Sequence, residues 1–236
     1  EMTNQFYLLL LVYFGFMGFG FFIQFLLLKK ISRQPDWMKF LFFNLIIASI
    51  LCIFEYIPHS ISIVFFLIFV AGGIELAQTI HDKNKIFKRI TFLVFILLSA
   101  LFIIGSFVIE KKLIEEIVLL VAVFDGYSQL GGKGIGKTKL APSISPNKTW
   151  EGFFIGAISA FLAGIIIYFF GNKNVLKFLF LIPILALLGD LLASYIKRKS
   201  QVKDFSNFIP YQGGFLDRFD SFIFTISIVS LIHLIN

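Results

Sequence analysis

The sequence predicts an all-α, polytopic integral membrane protein with about eight transmembrane helices and both termini on the non-cytoplasmic side. Three observations carry that prediction. Of 236 residues, 58% are hydrophobic and only 15% charged, whereas a soluble domain holds roughly 45–50% apolar and ~25% charged residues. The apolar residues fall in runs long enough to cross ~30 Å of hydrocarbon. The basic residues fall between alternate runs. Together these exclude a soluble enzyme, a disordered chain and a nucleic-acid-binding domain. A single cysteine, Cys52, excludes any disulfide within the chain.

The runs lie at roughly 5–28, 38–57, 61–80, 88–109, 113–130, 146–170, 175–196 and 215–235, each near the ~20 residues a spanning helix needs. The first lacks a basic leading region and a small-residue cleavage site before Lys29-Lys30, so it reads as a span and not a signal peptide. The fifth is interrupted by Asp125 and Gly126. Runs such as Phe40-Leu41-Phe42-Phe43 break the period-two alternation of a barrel strand, leaving helices as the structure lipid tolerates. Of the 21 Lys and Arg, only Lys111, Lys112, Lys173 and Lys177 fall on the outer side of this arrangement. That asymmetry follows the positive-inside rule, and it makes the net charge of +7 a matter of topology. Residues 1–110 hold four spans. Residues 111–236 hold the remainder and two polar cytoplasmic stretches, 125–150 and 194–220.

Chemistry is expected in those two stretches. Gly131, Gly136, Lys137 and Thr138 fit the phosphate-loop spacing, but that device needs a preceding strand and a following helix. Here a span precedes, and Pro142 and Pro146 follow. Ser145-Pro146 reads as the start of the sixth span, with Ser as cap and Pro at the first helical position. Asp190 sits seven residues before Lys197, ~10 Å along a helix. Ser194 and Lys197 share its face, and an acid at that depth normally marks a functional or paired group. Asp217 and Asp220 share a face where the last span begins, beside Arg218, and Asp125 closes the fifth span from the same side. Carboxylates below a lysine-rich rim suit Mg²⁺ carrying a polyphosphate. Internal salt bridges, such as Asp190 with Lys197 or Asp217 with a neighbouring Arg, would explain the same residues. Glu55 and Glu75 read as structural acids. His59, His81 and His233 have no zinc-ligand spacing, and no His lies in either polar stretch to serve a covalent nucleophile.

The stretch Ser194-x-x-Lys197-Arg198, Lys203-Asp204, Pro210, Gly213-Gly214, Asp217-Arg218-x-Asp220, with Gly189-Asp190 ahead of it, resembles the signature of the phosphatidate cytidylyltransferase (CDP-diacylglycerol synthase) family. Ser145-Pro146-Asn147-Lys148-Thr149-Trp150-Glu151-Gly152 is similar to that family's other characteristic stretch. The resemblance covers about residues 120–225. It implies a reaction of CTP with phosphatidic acid, giving CDP-diacylglycerol and pyrophosphate with Mg²⁺, at the cytoplasmic face of the inner membrane. On that resemblance Asp190, Asp217, Asp220 and Asp125 would hold the metal. Asp190, Asp217, Lys197 and Arg218 would carry catalysis. Ser145, Asn147, Lys148, Thr149, Ser194, Arg198, Lys203, Asp204, Gly213 and Gly214 would form the substrate site. A homodimer is implied by resemblance alone, and no nucleic acid is implied. Two features depart from the family pattern. Tyr211-Gln212 stands before Gly213-Gly214 where the family usually shows Gly-His, and Gln cannot carry a proton; Asp125-Gly126-Tyr127-Ser128 replaces the commoner Asp-Thr-x-Ala. Two other activities fit a membrane protein with these residues. One is a CTP-dependent lipid-alcohol kinase; the other is a lipid or ion transporter.

Overall fold

A computed structural model describes residues 2–31, 37–80, 85–170, 174–206, 208–209 and 213–235. Among these are eight α-helices: α1 (Met2–Ile31), α2 (Trp37–Tyr56), α3 (Ser60–Thr79), α4 (Lys85–Val108), α5 (Lys111–Ile135), α6 (Trp150–Phe170), α7 (Leu181–Lys199) and α8 (Leu216–Ile235). A short hairpin of β1 (Lys139–Ala141) and β2 (Ser145–Thr149) precedes α6, and a 3-10 turn at Asn174–Lys177 precedes α7. Five helices contain a stretch long and apolar enough to cross a bilayer: Phe6–Ile23, Ser60–Thr79, Lys85–Val108, Trp150–Phe169 and Leu216–Ile235. A shorter apolar run, Phe42–Tyr56, lies in α2. The chain is thus an integral membrane protein built almost wholly of helices, with the hairpin and a single bridge between Ile209 and Gly213 as its β-structure among the described residues.

The helices form two compact units, each drawing on both halves of the sequence. The first holds residues 1–56 and 115–184, the second residues 57–114 and 185–236. In the first, α5 and α6 meet backbone to backbone. A Cβ at Gly152 would come within 2.6 Å of the Ser128 carbonyl oxygen, and one at Gly156 within 2.7 Å of the Phe124 oxygen. Such small residues four apart let membrane helices approach closely. The Tyr127 hydroxyl donates to the Phe16 carbonyl at 2.7 Å, tying α5 to α1. This packing explains why Asp125 and Gly126 do not end the helix: tertiary contacts override their weak propensity, and α5 continues to Ile135 through the glycine-rich segment.

In the second unit α4 lies along α8, and α3 packs on both. Phe65 and Phe102 stack with ring centroids 3.9 Å apart. The Ser62 and Ser106 hydroxyls meet at 2.9 Å. Ser227 of α8 donates to the Leu98 carbonyl of α4 at 2.7 Å, and Ser230 to its own helix at the Ile226 oxygen, 2.7 Å away. The Ser227 and Ser230 hydroxyls are therefore satisfied without water, as apolar surroundings demand, whereas the Thr225 hydroxyl is buried with no partner.

The sixth span begins later than the sequence indicates. Ser145 and Pro146 lie in β2, which pairs antiparallel with β1 in the register Lys139 with Thr149 and Ala141 with Ser145. A proline that cannot donate is tolerated in an edge strand. Helix α6 starts at Trp150, and Thr149 caps it instead: its hydroxyl accepts the Gly152 N–H at 3.2 Å. The two polar stretches are correspondingly shorter than expected, because α5 and α7 run into them and α8 begins at Leu216.

Candidate active site

The second unit gathers the acids and bases of the C-terminal stretch around the start of α8. Helix α7 carries Asp190, Ser194 and Lys197 at successive turns, and the Ser194 hydroxyl donates to Asp190 Oδ1 at 3.3 Å. The Lys197 ammonium donates to Asp217 Oδ1 at 2.5 Å, with side chains only 10% and 3% exposed. Lys197 Nζ also stands 5.3 Å from the centroid of the Phe205 ring. The other Asp217 oxygen, Oδ2, accepts two backbone N–H groups: Phe205 at 2.9 Å and Gly214 at 2.8 Å. Phe205 and Gly214, both between α7 and α8, are thus held on one carboxylate. Gly213 has φ +89°, a left-handed conformation that favours glycine, and its carbonyl accepts the Ile209 N–H at 2.9 Å.

Helices α7 and α8 touch at Gly189, where a Cβ would lie 2.8 Å from the Asp220 carbonyl oxygen. Asp190 and Asp220 therefore flank this contact. Asp220 Oδ1 accepts the Ser221 N–H at 2.7 Å. The Arg218 Nε is buried with no hydrogen-bond partner, and a buried donor left so is costly unless an acceptor arrives. Arg198 is exposed, with one guanidinium N–H donated to the Val202 carbonyl at 3.1 Å. Lys203 and Asp204 are exposed. Tyr211 and Gln212 lie outside the described residues.

The first unit presents the other predicted residues on the hairpin. Ser145, Asn147, Lys148 and Thr149 follow one another along β2; Thr149 is buried, while Asn147 is exposed. Glu151, in the first turn of α6, closes the preceding loop. Its carboxylate accepts the Lys137 N–H at 3.1 Å and the Thr138 N–H at 3.0 Å. The Trp150 N–H donates to the Thr138 carbonyl at 3.0 Å. Residues that mimic a phosphate loop in sequence are therefore held against a carboxylate, two of their amides already used. Asp125 lies within α5 in this same unit.

Among the described residues, no three His, Cys, Asp or Glu side chains gather as a ready metal cage. Mg²⁺ is commonly held by one or two carboxylates, with waters and substrate phosphates completing its shell. Asp190 and Asp220, at the contact of α7 and α8, fit that partial role. In this conformation Asp217 has both oxygens engaged by protein donors.

The whole chain from residue 2 to residue 235 matches the profile described as the Cytidylyltransferase family. It belongs to that family. Family relatives named phosphatidate cytidylyltransferase share substantial identity with it. The Rickettsia bellii protein is 40% identical over 150 residues, 58% of this chain and 64% of that protein. The Aquifex aeolicus protein is 37% identical over 156 residues, 64% of this chain and 58% of that protein. The Haemophilus influenzae protein is 42% identical over 118 residues, 46% of this chain and 41% of that protein. The match therefore spans less than two thirds of each of these relatives.

Two acids of this family member do structural work: that of Glu151 is not read from the sequence, while Glu75 is read there as a structural acid without its partners. The partners of Glu151 are amides thirteen and fourteen residues upstream, and its place in a first turn follows only from α6 starting at Trp150. Glu75 stands in an apolar span, itself a signal, but its partners lie beyond residue 200. Its oxygens accept the Ser206 hydroxyl at 2.6 Å, the Phe215 N–H at 2.7 Å and the Leu216 N–H at 2.8 Å.

Proposed function

We propose that this chain is a phosphatidate cytidylyltransferase, converting CTP and phosphatidic acid to CDP-diacylglycerol and pyrophosphate. The observation that carries this is the charge arrangement at the start of α8. A buried Lys197–Asp217 pair stands next to an Arg218 whose Nε lacks a partner, within a chain that belongs to the Cytidylyltransferase family. Basic donors held in place beside a membrane helix suit a polyphosphate.

An oxygen of the lipid phosphate attacks the α-phosphorus of CTP. The bond from that phosphorus to the bridging oxygen breaks, and pyrophosphate leaves with the electron pair. The nucleophile is already an anion, so no side chain need remove a proton. The protein's task is to bring two polyanions together in line and offset their repulsion. Lys197 and Arg218 would bind the phosphates at the reacting centre. Lys148, Arg198 and Lys203 would add positive charge, while Ser145, Asn147, Thr149, Ser194, Asp204, Gly213 and Gly214 would shape the substrate site. Asp190 and Asp220 would hold Mg²⁺, joined by Asp217 where Lys197 moves off Oδ1; the ion would supply charge neutralisation on the triphosphate. The distribution of Lys and Arg supports eight spans, termini outside and a site facing the cytoplasm of a bacterial inner membrane.

Incubating the purified protein with Mg²⁺, phosphatidic acid and CTP labelled at the α-phosphate is expected to place the label in a CDP-lipid and release unlabelled pyrophosphate. Excess chelator is expected to stop it. Formation of CDP and a phosphorylated lipid alcohol, or transport with no nucleotide consumed, would overturn the reading.

A further inference from the structure

We infer that Glu75 of α3 is a positioning residue for the nucleotide site, an inference that rests on the cytidylyltransferase reading above. Glu75 lies well outside the segment that carries the family resemblance, and only 7% of it is exposed. The Phe215 and Leu216 amides open α8, where N–H groups have no partner within the helix. Such donors are ordinarily capped by a neighbouring Ser, Thr or Asp. Here the cap comes from a helix 141 residues away in sequence. The same carboxylate takes the Ser206 hydroxyl, so it holds Ser206 together with the residues that open α8. One turn on, the Thr79 hydroxyl donates to the Phe205 carbonyl at 2.8 Å.

Phe205 and Gly214 are the two residues whose amides hold Asp217 Oδ2. A Cβ at Gly214 would lie 2.9 Å from Asp217 Oδ2 and 2.9 Å from Glu75 Oε2. Glu75 and Asp217 therefore close together on one backbone segment, holding its consecutive Gly214 and Phe215 amides. Moving that segment moves Asp217, and with it the Lys197 ammonium. Glu75 itself has protein donors on both oxygens, so it acts through the backbone and not on the substrate.

Glu75→Gln keeps the shape and one acceptor oxygen but turns an NH₂ toward a backbone N–H. In the Gln variant, CTP affinity measured without lipid is expected to fall about tenfold, as for loss of a buried charged acceptor. In an Asp217→Asn background the same change is expected to cause less than about a twofold further loss, because the two act on one unit. Ser206→Ala, which removes a single donor to Glu75, is expected to weaken CTP binding about threefold and serves where Glu75→Gln fails to fold. A role in stability alone predicts a lower melting temperature with unchanged CTP affinity in the folded protein. That result, or full additivity with Asp217→Asn, overturns the inference. A wild-type protein that binds CTP but makes no CDP-lipid would instead sink the functional reading.

Discussion

Lys197 and Asp217 combine two demands that usually conflict. A charged pair so little exposed is weak evidence for stability, yet removing one member leaves the other charged and unpaired, at a loss of about 3 kcal/mol or more. Lys197→Met is therefore expected to destabilise the protein by about 3 kcal/mol in detergent unfolding and to lower CDP-lipid formation at least ~100-fold. A loss under ~1 kcal/mol would show a pair screened like one at the surface. Both residues were legible in the sequence, because an acid and a base at a membrane boundary have few ordinary explanations. Their mutual contact was not. Asp190 shares a helix face with Lys197, and that spacing favoured the wrong partner; the bond to Asp217 depends on how the α7–α8 connection folds. The partners of Glu75 escaped for a related reason, since backbone N–H groups that donate to a distant carboxylate leave no mark in the sequence.

Helix positions were readable where hydrophobicity alone decides them, and less so where packing or pairing does. The start of α6 is the clearest case. Ser145-Pro146 has the chemistry of a cap, but pairing of residues 145–149 with 139–141 draws it into a strand, and Thr149 takes over. In α5, Asp125 and Gly126 look like an interruption until the neighbouring helix is present. The α5–α6 contact yields its own test. Valine at Gly156 would drive a Cβ to 2.7 Å from the Phe124 carbonyl oxygen and 2.8 Å from Ser128 Cβ. Overpacking of this kind costs about 1–3 kcal/mol, so Gly156→Val is expected to lower the melting temperature in detergent. Gly18→Ala in α1, where a Cβ meets nothing within 4 Å, is expected to change stability by less than ~0.5 kcal/mol.

For the molecule as a whole, charge sidedness gives the testable geometry. In a Cys52→Ser background, single cysteines at Lys139 and Lys203 are expected to react with a membrane-impermeant maleimide in inverted vesicles, and one at Lys111 in right-side-out cells. Reaction of positions 139 and 203 from opposite sides would remove the proposed topology. The serine-bearing face of α8 also bears on how the protein is made. The α8 window has a mean hydropathy of 1.6, against 2.6 for α4, and its Ser227 is bonded to the Leu98 carbonyl. The ribosome releases α4 long before α8. The least greasy of these segments thus leaves the translocon when a complementary surface already waits in the lipid, and its delivery is best regarded as docking onto that surface more than as independent partitioning.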